Sequence, residues 1–199
     1  MVDRMLFFSD AVFAIVLTIL VLELRPPETD VRNEGELLNG IFAMGRHFAS
    51  FAISFAVGGI FWLAHMRFAR NLREFDWPAA GANLLHLFTI TLLPFAAALL
   101  GQHINSITAF ATYTIIIMLV AFTSAFSWLV ASRDGGRLVG GTTQPQRMGA
   151  ALRTSAIGIA FGLGLPFTLA GHPNFGRFSW VLIFPIIGLA NWIGRKSKK

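Results

Sequence analysis

The 199-residue chain contains no cysteine. Disulfides, cysteine-ligated metal sites and thiol catalysis are therefore excluded. Charge is also scarce. Asp, Glu, Lys and Arg make up 13% of the residues, about half the share of a soluble domain. There is no G-x-x-x-x-G-K-[ST] phosphate loop, no H-E-x-x-H and no Ser/His/Asp arrangement, so nothing points to an enzyme. No internal repeat is present. A secretory signal is not expected at the N-terminus. Arg4 is its only basic residue, Asp10 interrupts the apolar run, and no small-residue cleavage site follows.

What is present is apolar. The hydrophobic share is 55% and the mean hydropathy +0.64, which describes an all-α membrane protein. A net charge of +6 would suggest a nucleic-acid partner in a soluble chain. Here the basic residues collect between apolar runs, which points to membrane topology and not to nucleic acid.

Six transmembrane helices are predicted by the rule of roughly 20 residues per span. They are Leu6–Leu24, Ile41–Met66, Ala79–Leu100, Ile107–Val130, Arg153–Ala170 and Phe178–Ile193, within one domain, residues 1–199. With the N-terminus inside, the cytoplasmic segments hold Arg4; Arg67, Arg70 and Arg73; Arg133, Arg137, Arg147 and Arg153; and Arg195, Lys196, Lys198 and Lys199. The outer segments hold only Arg25, Arg32, Arg46 and Arg177. This bias predicts a multi-pass cell-membrane protein with both termini cytoplasmic. Trp77, Trp128 and Trp192 then fall near the inner interface and Trp180 near the outer one, as in an aromatic belt.

Three polar segments remain. The extracellular loop, residues 25–40, carries Glu28, Asp30, Glu34 and Glu36. It reads equally as an acidic mouth that concentrates cations or as an ordinary solvated loop. The cytoplasmic loop, residues 132–147, is glycine-rich and reads as a flexible linker. Residues 194–199 form a basic cytoplasmic tail. Pro94, Pro166 and Pro185 are expected to bend their spans. Gly158 and Gly162 form a G-x-x-x-G that signals close helix packing.

The first span, LFFSDAVFAIVLTILVLEL, has no charge between Ala11 and Leu22. A carboxylate inside a membrane helix costs free energy, so Asp10 demands a partner. On a helical wheel Ala11, Ile15, Ile19 and Leu22 fall within about 40° of one line, with Thr18 about 60° to one side. Asp10 lies about 140° from Ile15. One face is thus an aliphatic stripe with a single hydroxyl, suited to lipid contact or helix packing. Trp62, His65, Asn83 and His86 lie near the depth of Ser9 and Asp10, so a polar knot joining the first three spans is expected.

Arg4, Phe8, Ser9 and Asp10 form R-x-x-x-F-S-D, followed by A-V-F-A-I-V-L-T. With F-W-x-x-H at Phe61, Trp62 and His65, and L-L-P-F at Leu92–Phe95, the chain resembles the transmembrane protein 175 family of potassium channels, in its prokaryotic single-repeat branch. That resemblance implies a homotetramer in the lipid bilayer with the first helix of each subunit lining the pore. It lacks the T-V-G-Y-G filter of other potassium channels, as does this chain. The resemblance maps the constriction to Ile15, Ile19 and Leu22, and a selectivity hydroxyl to Thr18. It assigns Arg4, Phe8, Ser9, Asp10, Trp62, His65 and Asn83 to a hydrogen-bond network. Arg4 and Phe8 fall near the aliphatic stripe on an ideal wheel, which that role does not predict. No cofactor is implied; K+ is the permeant ion. The expected function is passive, K+-selective conduction through a hydrophobic gate.

Two rivals follow from the residues. Asp10 could serve a cation- or proton-coupled secondary transporter. His47 and His65, with His86 and His103, have spacings that could hold b-type haems at two depths.

Overall fold

A computed structural model describes residues 2–26, 33–140, 142–172, 176 and 178–195, the side chains of residues 180, 194 and 195 excepted. Pro27, Glu28, Asp30, Arg32, Arg177, Lys196, Lys198 and Lys199 lie outside the described residues, as do the side chains of Trp180 and Arg195. The described residues are helical apart from short connections and one isolated bridge, Leu72 to Val139. Five stretches are long and apolar enough to cross a membrane: Val2–Glu23, Gly45–Asn71, Trp77–Gln102, Ile107–Ala131 and Gln144–Leu169.

The first stretch is α1, Val2–Ile19, which tightens into a 3-10 turn at Leu20–Glu23. Pro26 then disfavours helical backbone at Arg25. Helix α2, Glu34–Ala43, occupies the second half of the expected outer loop. Asn33 caps it. Its side-chain oxygen accepts from the Glu36 N–H, and its amide donates to the Glu36 carboxylate, both at 3.0 Å. Glu34 and Glu36 thereby sit in a helical first turn, where negative charge is favourable, and part of the acidity has a local structural use.

Helix α3, Gly45–Asn71, ends where the Asn71 side chain donates to the Arg67 carbonyl at 2.7 Å. Helix α4, Trp77–Ile90, is capped by Asp76 with Pro78 in its first turn. The third expected span then breaks at Thr91–Leu92, and α5 restarts at Leu93–Gln102 with Pro94 near its head. Pro94 has no N–H and crowds the preceding turn, so an unbroken helix is disfavoured. Helix α6, Ile107–Ala131, is capped by Ser106, whose hydroxyl accepts from Ala109 N–H.

Helix α7 runs from Gln144 to Leu169. It begins well before Arg153, the start expected from hydropathy. Thr143 and Gln146 form a capping box, with the Gln146 side chain accepting from the Thr143 N–H at 2.9 Å. The sixth expected span resolves into a 3-10 turn, Ser179–Leu182, and α8, Ile183–Arg195. At 13 residues, α8 is about 20 Å long, short of the hydrocarbon thickness.

The core forms where α6 packs most extensively on α7, α7 on α8 and α4 on α6. Gly158 makes the α6–α7 contact possible. A methyl group there would come within 2.6 Å of Ala121 Cβ and 3.3 Å of Met118 Cα. Phe61, Leu87, Ile90, Leu93, Tyr113, Ile117 and Val120 fill the centre. A second cluster, with Phe68, Leu72, Trp128, Leu138 and Val139, closes one end.

The glycine-rich loop is therefore not a free linker. Gly135 and Gly136 adopt positive φ, which lets the chain reverse and bury Leu138 and Val139. Arg73 N–H donates to Leu138 O at 2.8 Å. Asp76 pairs with Arg133 and, at 3.2 Å, with Arg137, which also reaches Glu74 at 3.4 Å. Trp128, expected near the inner interface, is buried edge-on against Phe68 with 5.3 Å between ring centroids. Trp77 and Trp192 are exposed.

Candidate functional site

Helix α1 has two faces. Ser9, Phe13, Val16 and Leu20, spaced four, three and four apart, are buried against the rest of the chain. Arg4, Phe8, Ala11, Ile15, Thr18 and Leu22 repeat on the same spacing on the other side, and all are exposed. Exposure is 56% at Ile15, 40% at Ile19 and 68% at Leu22, against 1% at Phe13. A spacing that averages 3.5 residues keeps one seam facing one direction along a helix. The helix is regular through Arg4 and Phe8, so local irregularity does not explain their position on this seam.

The buried face is where polar groups meet. Asn83 Nδ2 donates to Ser9 Oγ at 3.0 Å, and Ser9 Oγ donates to Met5 O at 2.9 Å. Trp62 Nε1 donates to Asp10 Oδ1 at 3.2 Å. One face of α1 is thus tied to α3 through Trp62 and to α4 through Asn83. His65 is buried beside this pair of bonds, but its Nε2 has no hydrogen-bond partner among the described residues. Its ring packs on Phe13 at 5.4 Å and stacks on His86 at 6.1 Å between centroids. Arg4 has no hydrogen-bond or ion-pair partner among the described residues, and Phe8 is half-exposed. Neither joins the bonds within one chain.

His86 joins this region as its depth suggests, and Arg70 belongs to it beyond the residues assigned from sequence. His86 Nδ1 lies 3.3 Å from Thr123 Oγ1, which itself pairs with Thr89 Oγ1 at 2.8 Å, so the polar cluster extends to α6. Arg70 shares a cavity of about 220 Å³ with Asp10, His65 and Met66. The cue in the sequence is the helical spacing of Met66 and Arg70 from Trp62. The stacked histidine rings, with Phe13 against both, fill the space that a haem held between them would need.

On the exposed face, Thr18 Oγ1 donates to Ala14 O and Ile15 O, each at 2.9 Å. A hydroxyl has one proton and two acceptor lone pairs. Because its proton is committed to the helix backbone, the oxygen is left as an acceptor.

The family described as endosomal/lysosomal potassium channel TMEM175 matches residues 4–94, the stretch containing α1 and its polar partners. A potassium channel of Streptomyces collinus is 28% identical over 177 residues, covering 83% of this chain and 84% of that one. A potassium channel of Chamaesiphon minutus is 28% identical over 179 residues, covering 82% and 88%. The crystal structure of a lysosomal potassium-selective channel TMEM175 homolog from Chamaesiphon minutus has the same fold. Its TM-score is 0.64 at 23% identity, over 100% of this chain and 98% of that one. The R-x-x-x-F-S-D helix lies inside the stretch that the family model matches, and both bacterial potassium channels align with over four-fifths of this multi-pass membrane protein.

Proposed function

We propose that the chain is a subunit of a homotetrameric potassium channel in which α1 lines the pore. The observation that carries this reading is the exposed aliphatic seam of α1, opposite a face fixed by buried packing and hydrogen bonds. Four such seams around a common axis place Ile15, Ile19 and Leu22 in three successive rings. The turn from α-helix to 3-10 geometry makes the distance from Ile15 to Leu22 about 12 Å. Water leaves a narrow apolar constriction of this kind, and an ion does not cross it until the rings dilate.

Thr18 lies between the first two rings. Four acceptor oxygens there replace part of the hydration shell, which K+ gives up more readily than Na+. Ser9, Asp10, Trp62 and Asn83 hold the tilt of α1, with His65 packed beside them. Arg4 and Phe8 widen the cytoplasmic mouth. The charge bias puts both termini in the cytoplasm, and α8 with its preceding turn supplies the sixth crossing.

Reconstitution into liposomes with a K+ gradient tests the proposal, repeated with Na+. Passive K+ flux exceeding Na+ flux is expected. Folded, inserted protein that passes neither ion, or that moves K+ only against a counter-ion, overturns it.

A further inference from the structure

The packing of α3, α6, α7 and α8 leaves two adjoining cavities that the pore does not use. The first, of about 590 Å³, is lined by Arg67, Arg70, Asn71, Gln146 and Arg153, with Trp128 at its wall. The second, of about 460 Å³, is an apolar groove bounded by Leu63, Ile157, Ile183, Phe184 and Ile187. Arg67, Trp128, Ala150 and Arg153 line both, so the basic cavity runs directly into the groove. No acidic residue lines either one among the described residues.

The polar groups here are under-used. Arg67 and Arg70 have no carboxylate partner among the described residues, and the Arg153 guanidinium donates only to Asn191 Oδ1, at 3.2 Å. Trp128 is 95% buried, yet its indole N–H has no acceptor among the described residues. Arg67 and Arg153, with no ion-pair partner among the described residues, and an unpaired donor beside them mark a place for phosphate oxygens. Inorganic phosphate would satisfy the cations and leave the groove exposed. A phospholipid satisfies both, because its phosphate and acyl chain belong to one molecule and the two cavities share lining residues. Basic pockets between helices at a membrane surface hold anionic headgroups for this reason.

We propose that this corner of the bundle binds an anionic phospholipid, with its phosphate between Arg67, Arg153 and the Trp128 indole and an acyl chain in the groove beside Leu63, Ile157 and Phe184. The site rests on the reading of the chain as membrane-spanning. It does not depend on ion conduction, and a binding measurement in detergent fails or succeeds separately from the flux assay.

Purified, delipidated full-length protein is supplied with phosphatidylglycerol or phosphatidylcholine of identical acyl chains, and retained lipid is counted by native mass spectrometry. Preferential retention of phosphatidylglycerol is expected. Arg67→Gln and Arg153→Gln should each lower that preference by about fivefold, and Arg67→Lys should restore most of it. Trp128→Phe should lower it less. Size-exclusion profiles identify variants that fail to fold, and the Arg67→Lys protein keeps the comparison decisive if Arg67→Gln does. Equal retention of the two lipids overturns the proposal, as does a preference that Arg67→Gln and Arg153→Gln leave intact. Displacement of phosphatidylglycerol by inorganic phosphate at equal concentration also overturns it, since the acyl chain then contributes nothing. The chain has no native thiol, so Leu63→Cys provides a unique one. A thiol that reacts with a membrane-permeant maleimide only after the assembly dissociates shows a second copy covering the groove, and likewise overturns the proposal.

Discussion

Helices α1 and α7 are both apolar spans, and the subunit treats them oppositely. Within its most apolar window, α1 with its terminal turn is 22% buried, while α7 is 61% buried. The less buried helix is the more apolar of the two. Side-chain size explains the inversion. Helix α7 turns Gly158 and Gly162 to Met118 and Ala121 of α6, so its backbone approaches closely, and its Ala156 and Ala160 are fully buried. Helix α1 presents Ile15, Ile19 and Leu22 outward and gives the subunit only a strip of Ser9, Phe13, Val16 and Leu20. In a bilayer, apolar character does not decide which helix is inside. Close packing and polar contacts decide it, and α1 is left with large apolar side chains that the rest of the chain does not cover.

The comparison breaks most sharply within α1 itself. Phe13→Ala removes a ring that is 1% exposed and packs on His65 and His86. It should destabilise the subunit by about 3–5 kcal/mol in a denaturant titration in detergent. Ile15→Ala, two residues away on the exposed seam, should change subunit stability by no more than about 0.5 kcal/mol, while raising ion leak in liposomes. Equal stability losses for the two would mean that the seam is packed within the subunit.

Gly158→Ala tests the other helix. The added methyl meets Ala121 and the Met118 backbone, neither of which can swing aside. A loss of about 1–3 kcal/mol is expected on the same titration. Asp10→Ala leaves the Trp62 indole without its acceptor and should cost about 1 kcal/mol. Its larger consequence is on assembly, because α1 loses one of its ties to α3. A tetramer fraction in cross-linking that equals wild type, with altered ion preference, would count against the positioning role.

Much of this difference is legible in the residues. The aliphatic stripe of α1 and the opposite placement of Asp10 follow from spacing, while which face is covered does not, and the convergence of Ser9, Trp62 and Asn83 follows from their common depth. Helix starts were legible too, but hydropathy hides them. Asp76-Trp77-Pro78 and Thr143-Gln144-Pro145-Gln146 are both helix-opening patterns. The second places α7 nine residues before its apolar run, in a stretch whose glycines suggest a linker. What spacing does not carry is the packing of the Gly-rich loop. Leu138 and Val139 are held by Leu72 and Arg73, and Arg137 by Asp76, all far away in sequence, and a Gly-rich loop gives no sign of its partner. The burial of Trp128 is hidden for the same reason: its packing partner, Phe68, is also far away in sequence.

The smallest expected effect on stability carries the most specific functional test. Thr18→Val keeps the shape of the side chain and removes only the hydroxyl, whose proton goes to the carbonyls of Ala14 and Ile15. Those carbonyls also serve the helix ladder, so the subunit should unfold as wild type does. A methyl group in place of the acceptor oxygen leaves the permeating ion with no substitute for lost water at that level. The reversal potential under mixed K+ and Na+ should therefore move towards the non-selective value, with assembly unchanged. If it stays where it was, selection arises from dehydration at the aliphatic rings alone, and the hydroxyl is a backbone-bonded bystander on the seam.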